Sequence, residues 1–305
     1  MDIFLAVFRQ TLIMFLFITV GFLIYRSGKL TREGSRGIAN LMIWVILPAV
    51  ILGSFCIPPE RQNLLDFSVS ASLGALALGL SVAISCLAFR KRPMDRYATA
   101  FPNIGFIGIP LVTAVVGRHA VLYIIGAVAL NNVLQSSFGL RLMAPSHIRV
   151  SFRDIARNPL ILSVCLGLTL FTSGLGHRMP GFITDFLSGI AAMNAPVAMI
   201  LLGTYLAQAD VKSLFTRMPL YALCAVRLVV IPLCTLFVLW LVPASSEIKM
   251  SLFLAMGTSV GANASIFAQL YDCDYVYAGQ SVAISTLLCM LTLPLLAALA
   301  SPLMG

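Results

Sequence analysis

Ten apolar runs, each close to the length that crosses a bilayer, fix what this chain can fold into. They lie at residues 3–25, 38–57, 67–89, 98–117, 120–143, 159–176, 183–207, 219–242, 250–271 and 276–300. About 20 apolar residues span the hydrocarbon core as a helix, and a helix satisfies its own N–H and C=O groups where no water can. Barrel strands would read as alternating runs of about ten residues, a pattern absent from this sequence. The expected fold class is an all-α integral membrane protein with ten transmembrane helices.

Composition agrees. Of the 305 residues 60% are hydrophobic and only 10% are charged, against about 25% charged in soluble domains. A soluble fold has too little polar cover for that apolar load, so soluble enzymes, nucleic-acid-binding domains and disulfide scaffolds are excluded. The net charge of +9 sits in short loops between apolar runs. The expected partner is therefore the lipid bilayer, and no nucleic acid. The seven cysteines form no C-x-x-C spacing and lie within or beside apolar runs, where Cys packs as a small hydrophobe. No disulfide, metal or cofactor is expected. The first run has no small-residue cleavage site after it and reads as a retained helix.

Lys and Arg in short loops set orientation. The odd-numbered connections carry fourteen, among them Arg26, Lys29, Arg90, Lys91, Arg149, Arg153 and Lys212; the opposite side carries five. Both termini are thus expected outside the cytoplasm, in a cell inner membrane.

Ten spans around a basic central loop divide into five and five, which inverts the second half. Residues 1–143 form the first expected repeat, 144–158 the cytoplasmic loop, and 159–305 the second repeat. At an offset of 154, Ala114, Val128, Ala129 and Leu134 coincide with Ala268, Val282, Ala283 and Leu288. Asn131 and Asn132 fall on Ser285 and Thr286. Inverted repeats are characteristic of secondary transporters, whose sites form where broken helices meet near the midplane.

Two spans are built to break. In span four, Pro102 and Pro110 lack amide donors and clash with the preceding turn, while Gly105 and Gly108 add backbone freedom. An ordinary kink would explain the prolines but leaves Asn103 between them without a reason. Span nine has no proline, yet Gly257, Ser259, Gly261 and Asn263 crowd its middle. Gly257, Gly261 and Ser265 recur every four residues, so a small face for helix crossing is the competing reading. Asn263 fits that reading less well, because an amide in hydrocarbon needs partners. Gly257-Thr-Ser-Val-Gly261 also matches the hydrolase elbow pattern, but it lacks the preceding strand and the His and acid partners. No span carries a nucleophile–base or metal constellation, so the chain is not expected to be an enzyme.

Asn131, Asn132 and Gln135 lie mid-span in helix five, where helix-to-helix bonding and cavity lining are equally open. Arg227 lies about eight residues into span eight, roughly 12 Å deep at 1.5 Å per residue. Snorkelling to the interface and an electrostatic role are both open for it. No Asp or Glu lies near the middle of a span, which disfavours coupling through a midplane carboxylate and leaves sodium, proton co-transport or uniport. Second halves of broken helices present positive N-terminal ends. Two such ends with Asn amides and no carboxylates suit a small organic anion.

These residues resemble the auxin efflux carrier family, which includes plant auxin carriers and bacterial malate or malonate permease-like members. The resemblance rests on Leu47-Pro48-Ala49, the run Phe101–Leu111, Arg157–Leu160, Ala195-Pro196 with Leu202-Gly203, Phe267–Tyr271, Ser285–Leu288 and Leu293-Pro294. It implies a fold akin to bile-acid/sodium symporters, with a scaffold and a transport domain, crossing helices four and nine, and elevator-type alternating access. Asn103 matches the family's carboxylate-contacting Asn. Two departures point to a bacterial-type member: span nine lacks the plant carriers' proline, and the central loop is far shorter than theirs.

The expected function is a secondary transporter of small organic anions, auxin-like or dicarboxylate; the alternative is a passive channel for small solutes. Asn103, Asn263, Ser259, Gly105 and Asn132 form the expected substrate-binding set. Pro102, Gly108, Pro110, Gly257 and Gly261 are expected to hold the breaks. The small-residue faces of spans three (Ala75, Gly79, Ala83) and nine suit intramolecular packing or a homodimer equally well.

Overall fold

A computed structural model describes residues 3–143, 157–208, 217–271 and 273–304. Most of the central loop expected at 144–158, with Arg149 and Arg153, and also Lys212, lies outside the described residues. The helices are α1 (Ile3–Arg26), α2 (Arg32–Ser54), α3 (Arg61–Ala88), α4a (Pro93–Ala100), α4b (Ile104–Val115) and α5 (Arg118–Met143). After them come α6 (Pro159–Thr172), α7 (Gly181–Gln208), α8 (Met218–Leu241), α9a (Ser246–Met256), α9b (Asn263–Leu270) and α10 (Tyr275–Met304). Among the described residues there is no β-strand, only one isolated bridge.

Among the described residues, seven helices are long and apolar enough to cross a membrane: α1, α2, α3, α5, α7, α8 and α10. The other three expected spans appear as shorter pieces, two because their helices are interrupted. Apolar side chains such as Leu16, Leu23, Trp44, Leu87, Phe186, Phe237 and Leu291 stand exposed around the bundle, as lipid-facing positions require.

Prolines are absorbed without ending the long helices. Five-residue wide turns at Met42–Ile46, Ile104–Gly108 and Val226–Val230 each run into a helix with Pro48, Pro110 or Pro232 in its first two positions. A proline ring crowds the carbonyl four residues back and offers it no N–H. Widening the preceding turn relieves both problems locally.

The helices pack as two groups. α1 lies along α7, and α2 packs on α6 and on the first half of α7. Glycine allows backbone-to-backbone approach in this group. A Cβ on Gly21 would fall onto the Ile200 carbonyl, and one on Gly203 onto the Ile18 carbonyl. The second group sets α3 against α4a and α5, and α8 and α10 against α9a. Between the groups, α1 and α7 meet α4b and α10 along a seam. Met14, Met199, Met290, Ile107 and Leu293 line a void of about 20 Å³ there.

Candidate functional site

The two interrupted helices break at the same place. α4a ends at Ala100 and α4b begins at Ile104; α9a ends at Met256 and α9b begins at Asn263. Between these halves Pro102 and Val260 form a short antiparallel bridge. Asn103 N–H donates to the Ser259 carbonyl at 2.9 Å, and Gly261 N–H donates to the Phe101 carbonyl at 3.0 Å. Backbone released from one helix is thus satisfied by backbone released from the other, as a dry interior demands.

Side chains from three other helices satisfy more of this backbone. Asn131 of α5 donates through Nδ2 to the Pro102 carbonyl at 3.3 Å. Ser81 of α3 donates to the Ala100 carbonyl at 2.8 Å. Val260 N–H donates to Ser285 Oγ of α10 at 3.1 Å, and Ser259 Oγ lies 3.1 Å from Thr286 Oγ1.

Arg227 of α8 joins both breaks. Its Nε donates to the Thr258 carbonyl at 3.0 Å, and its Nη1 to the Thr99 carbonyl at 3.0 Å and to Ser81 Oγ at 3.2 Å. Its Nη2 donates to the Met256 carbonyl. The side chain is fully buried, so it does not snorkel. Instead it places a guanidinium at the C-terminal ends of α4a and α9a, where unpaired carbonyls concentrate partial negative charge. A planar fork of five donors suits this task better than a point-like ammonium.

The expected site residues distribute as follows. Pro102, Asn103, Ser259 and Gly261 meet in the crossover. Asn263 stands beside it and donates through Nδ2 to Gln135 Oε1 at 2.9 Å. A Cβ on Gly261 would press on the Phe101 and Pro102 carbonyls at 3.2 and 3.3 Å. A Cβ on Gly108 would sit 3.3 Å from the Ala255 Cα, so this glycine brings α4b onto α9a. Gly257 closes α9a against Leu293, whose Cδ1 lies 2.7 Å from where a Cβ would be. Gly105 is half-buried and faces Leu47, and Pro110 sits a turn further along α4b. Asn132 turns its amide onto the Val128 carbonyl of its own helix at 2.8 Å; its neighbour Asn131 is the one that reaches the crossover. The small face read from Gly257, Gly261 and Ser265 does not form, because residues 257–262 leave the helix and lose the four-residue period.

Two side-chain amide atoms at the crossover have no hydrogen-bond partner, Asn131 Oδ1 and Asn103 Nδ2. Asn103 is 5% exposed, and its Nδ2 is buried without a hydrogen-bond partner. An unmade hydrogen bond at a buried amide costs about 1–3 kcal/mol. Sequence reasoning singled out Asn103 but missed Ser81 and left Arg227 open. Arg227 carried a signal in its depth, whereas Ser81 looks like any small residue of a packed helix.

A family model described as membrane transport protein matches residues 6–297. The chain belongs to this family, the auxin efflux carriers. An uncharacterized transporter of Methanocaldococcus jannaschii is 22% identical over 214 residues, which cover 66% of this chain and 69% of that protein. This auxin efflux carrier family member is accordingly a multi-pass membrane transport protein, and the crossover of α4 and α9 is its best candidate site.

Proposed function

We propose that this carrier moves small organic anions across the cytoplasmic membrane by alternating access at the α4/α9 crossover. The observation that carries the reading is the unmatched Asn103 Nδ2 beside two helix breaks. A carboxylate supplies the acceptor that this donor lacks. Arg227 neutralises the negative ends of α4a and α9a, which leaves the positive ends of α4b and α9b for a ligand. No Asp or Glu occurs from residue 96 to 153 or from 248 to 271, and the acidic residues of the broken helices, Asp95 and Glu247, lie in the first turns of α4a and α9a, away from the breaks. Ser259 and Asn263 already hold partners at 3.1 and 2.9 Å. They line the site and exchange those partners for substrate, and Asn103 makes the first contact.

The same reading treats residues 1–143 and 159–305 as two inverted five-helix repeats joined by 144–158, with both termini outside the cytoplasm. In it α1, α2, α6 and α7 form the scaffold, and the group around α3–α5 and α8–α10 travels as an elevator along the Met-lined seam. Flux in proteoliposomes tests it, with malate, malonate, pyruvate and indole-3-acetate, with and without sodium and a pH gradient. A saturable flux with counterflow that Asn103→Ala loses is the expected result. Non-saturating flux without counterflow identifies a pore instead.

A further inference from the structure

The turn between α6 and α7 folds over the C-terminal end of α2. Cys56, just past α2, has its Sγ 3.9 Å from Met179 Sδ of that turn, across 123 positions of sequence. Backbone holds the two segments together. A Cβ on Gly176 would fall 2.8 Å from the Phe55 carbonyl oxygen, and one on Gly174 would meet Pro59 at 3.5 Å. Two overlapping turns carry His177 and Met179: Arg178 N–H donates to the Leu175 carbonyl at 3.2 Å, and Met179 N–H to the Gly176 carbonyl at 3.4 Å. Cys56 and Met179 are half-buried, and His177 is exposed on the same turn.

A thiol, a thioether and an imidazole form a distinctive donor set. Thiolate and thioether sulfur select Cu(I), whereas magnesium and calcium call for oxygen. Among the described residues no three of His, Cys, Asp and Glu come together, so the zinc type of site, which takes its ligands from those residues, is not built there. The spacing of the sulfurs suits one shared ion. Two sulfurs about 2.3 Å from a metal, at the roughly 120° of a trigonal site, stand about 4.0 Å apart; Cys56 and Met179 are already at 3.9 Å.

We infer that Cys56, Met179 and His177 form a binding site for a soft monovalent cation, Cu(I) or its analogue Ag(I). Cys56 binds as thiolate, and its proton leaves to water as the sulfur–metal bond forms. Thiolate and cation then cancel in charge, so the neighbouring Arg178 does not oppose the ion. Met179 supplies the second bond, and His177 closes the third position from the open side of the turn. The bound ion ties the end of α2 to the α6–α7 turn. Cysteine spacing pointed to no metal, because the two sulfurs share no local motif and meet only through the fold. The inference is independent of the proposed function, since all three ligands belong to the α2, α6 and α7 side of the molecule and none to the crossover.

Anaerobic competition for Cu(I) against the chelator bathocuproine disulfonate tests it, on the purified full chain in detergent. The wild type is expected to bind one more equivalent of Cu(I) than Cys56→Ser. Met179→Leu is expected to raise the Kd of that equivalent at least tenfold, and His177→Ala several-fold. Excess Zn(II) should not displace it. Serine can keep the donor that the Cys56 thiol directs to the Leu52 carbonyl at 3.4 Å, and leucine keeps the volume of methionine. Both variants should therefore keep the wild-type melting temperature without metal. Ag(I) should raise the melting temperature of the wild type by several degrees more than that of Cys56→Ser. Equal Cu(I) binding by the wild type and Cys56→Ser overturns the inference. Displacement by Zn(II) does so too, as does unchanged affinity in Met179→Leu or His177→Ala, which reduces the site to a lone thiol or a pair.

Discussion

Asn103 donates its backbone N–H to the carbonyl of Ser259 at 2.9 Å, across 156 positions of sequence. That bond belongs to the main chain and survives any change of the Asn103 side chain. The side-chain Nδ2, in contrast, makes no hydrogen bond. Asn103→Ala is therefore expected to leave the melting temperature within a few degrees of wild type while lowering anion affinity at least tenfold. Thermal unfolding in detergent and concentration-dependent flux measure the two effects separately.

Arg227 has the opposite profile. Removing it in Arg227→Met strands the carbonyls of Thr99, Met256 and Thr258 together. Each orphaned buried group costs about 1–3 kcal/mol. A stability loss on the order of 3 kcal/mol or more is expected, seen as a sharp fall in melting temperature and in detergent-extractable yield. Arg227→Lys keeps the charge but not the fork and should fall between the two.

Asn263 and Gln135 form one partly buried contact at 2.9 Å. Their alanine variants should be non-additive: the double variant loses less stability than the sum of the singles, by about 0.5–3 kcal/mol. A thermal-shift double-mutant cycle reads this directly. Additivity within error would show that the pair is not coupled.

Asn131 and Asn132 are adjacent, yet only one should matter. Asn131→Ala removes the donor to the Pro102 carbonyl, whereas Asn132→Ala removes a bond to its own helix. The first is expected to lower both stability and flux by several-fold more than the second. Matched flux and melting measurements on the two variants decide it.

Glycine substitutions divide just as sharply. Gly203→Ala drives a methyl into the Ile18 carbonyl, while a methyl at Gly53 meets nothing within 4 Å. Expression and monodispersity by size-exclusion chromatography should collapse for Gly203→Ala and remain unchanged for Gly53→Ala.

Much of the helical layout was legible in hydropathy, because a bilayer permits few alternatives. The run expected at 183–207 is Gly181–Gln208, and the run at 219–242 becomes Met218–Leu241. The break in span four was legible too, since Pro102 and Pro110 act through their own backbone. The break in span nine was less so: glycine permits departure from a helix without enforcing it. What decides there is Arg227 and Ser285, distant in sequence, which satisfy the freed carbonyls and amides. Asn131 and Asn132 differ by 100° of helix rotation, and no local pattern says which of them faces the crossover. Arg227 was readable as buried charge but not as a cap, because its partners are carbonyls, and every residue has one.

The seam with its 20 Å³ void is lined by Met14, Met199 and Met290. Thioether chains are unbranched and reach several rotamers of similar energy. They fill the space beside the stiffer β-branched Ile18 and Ile107 of the same lining without demanding one rotamer. The rigid elements on either side, close-packed glycine contacts on one and an arginine-tied crossing on the other, thus meet across a layer softer than either.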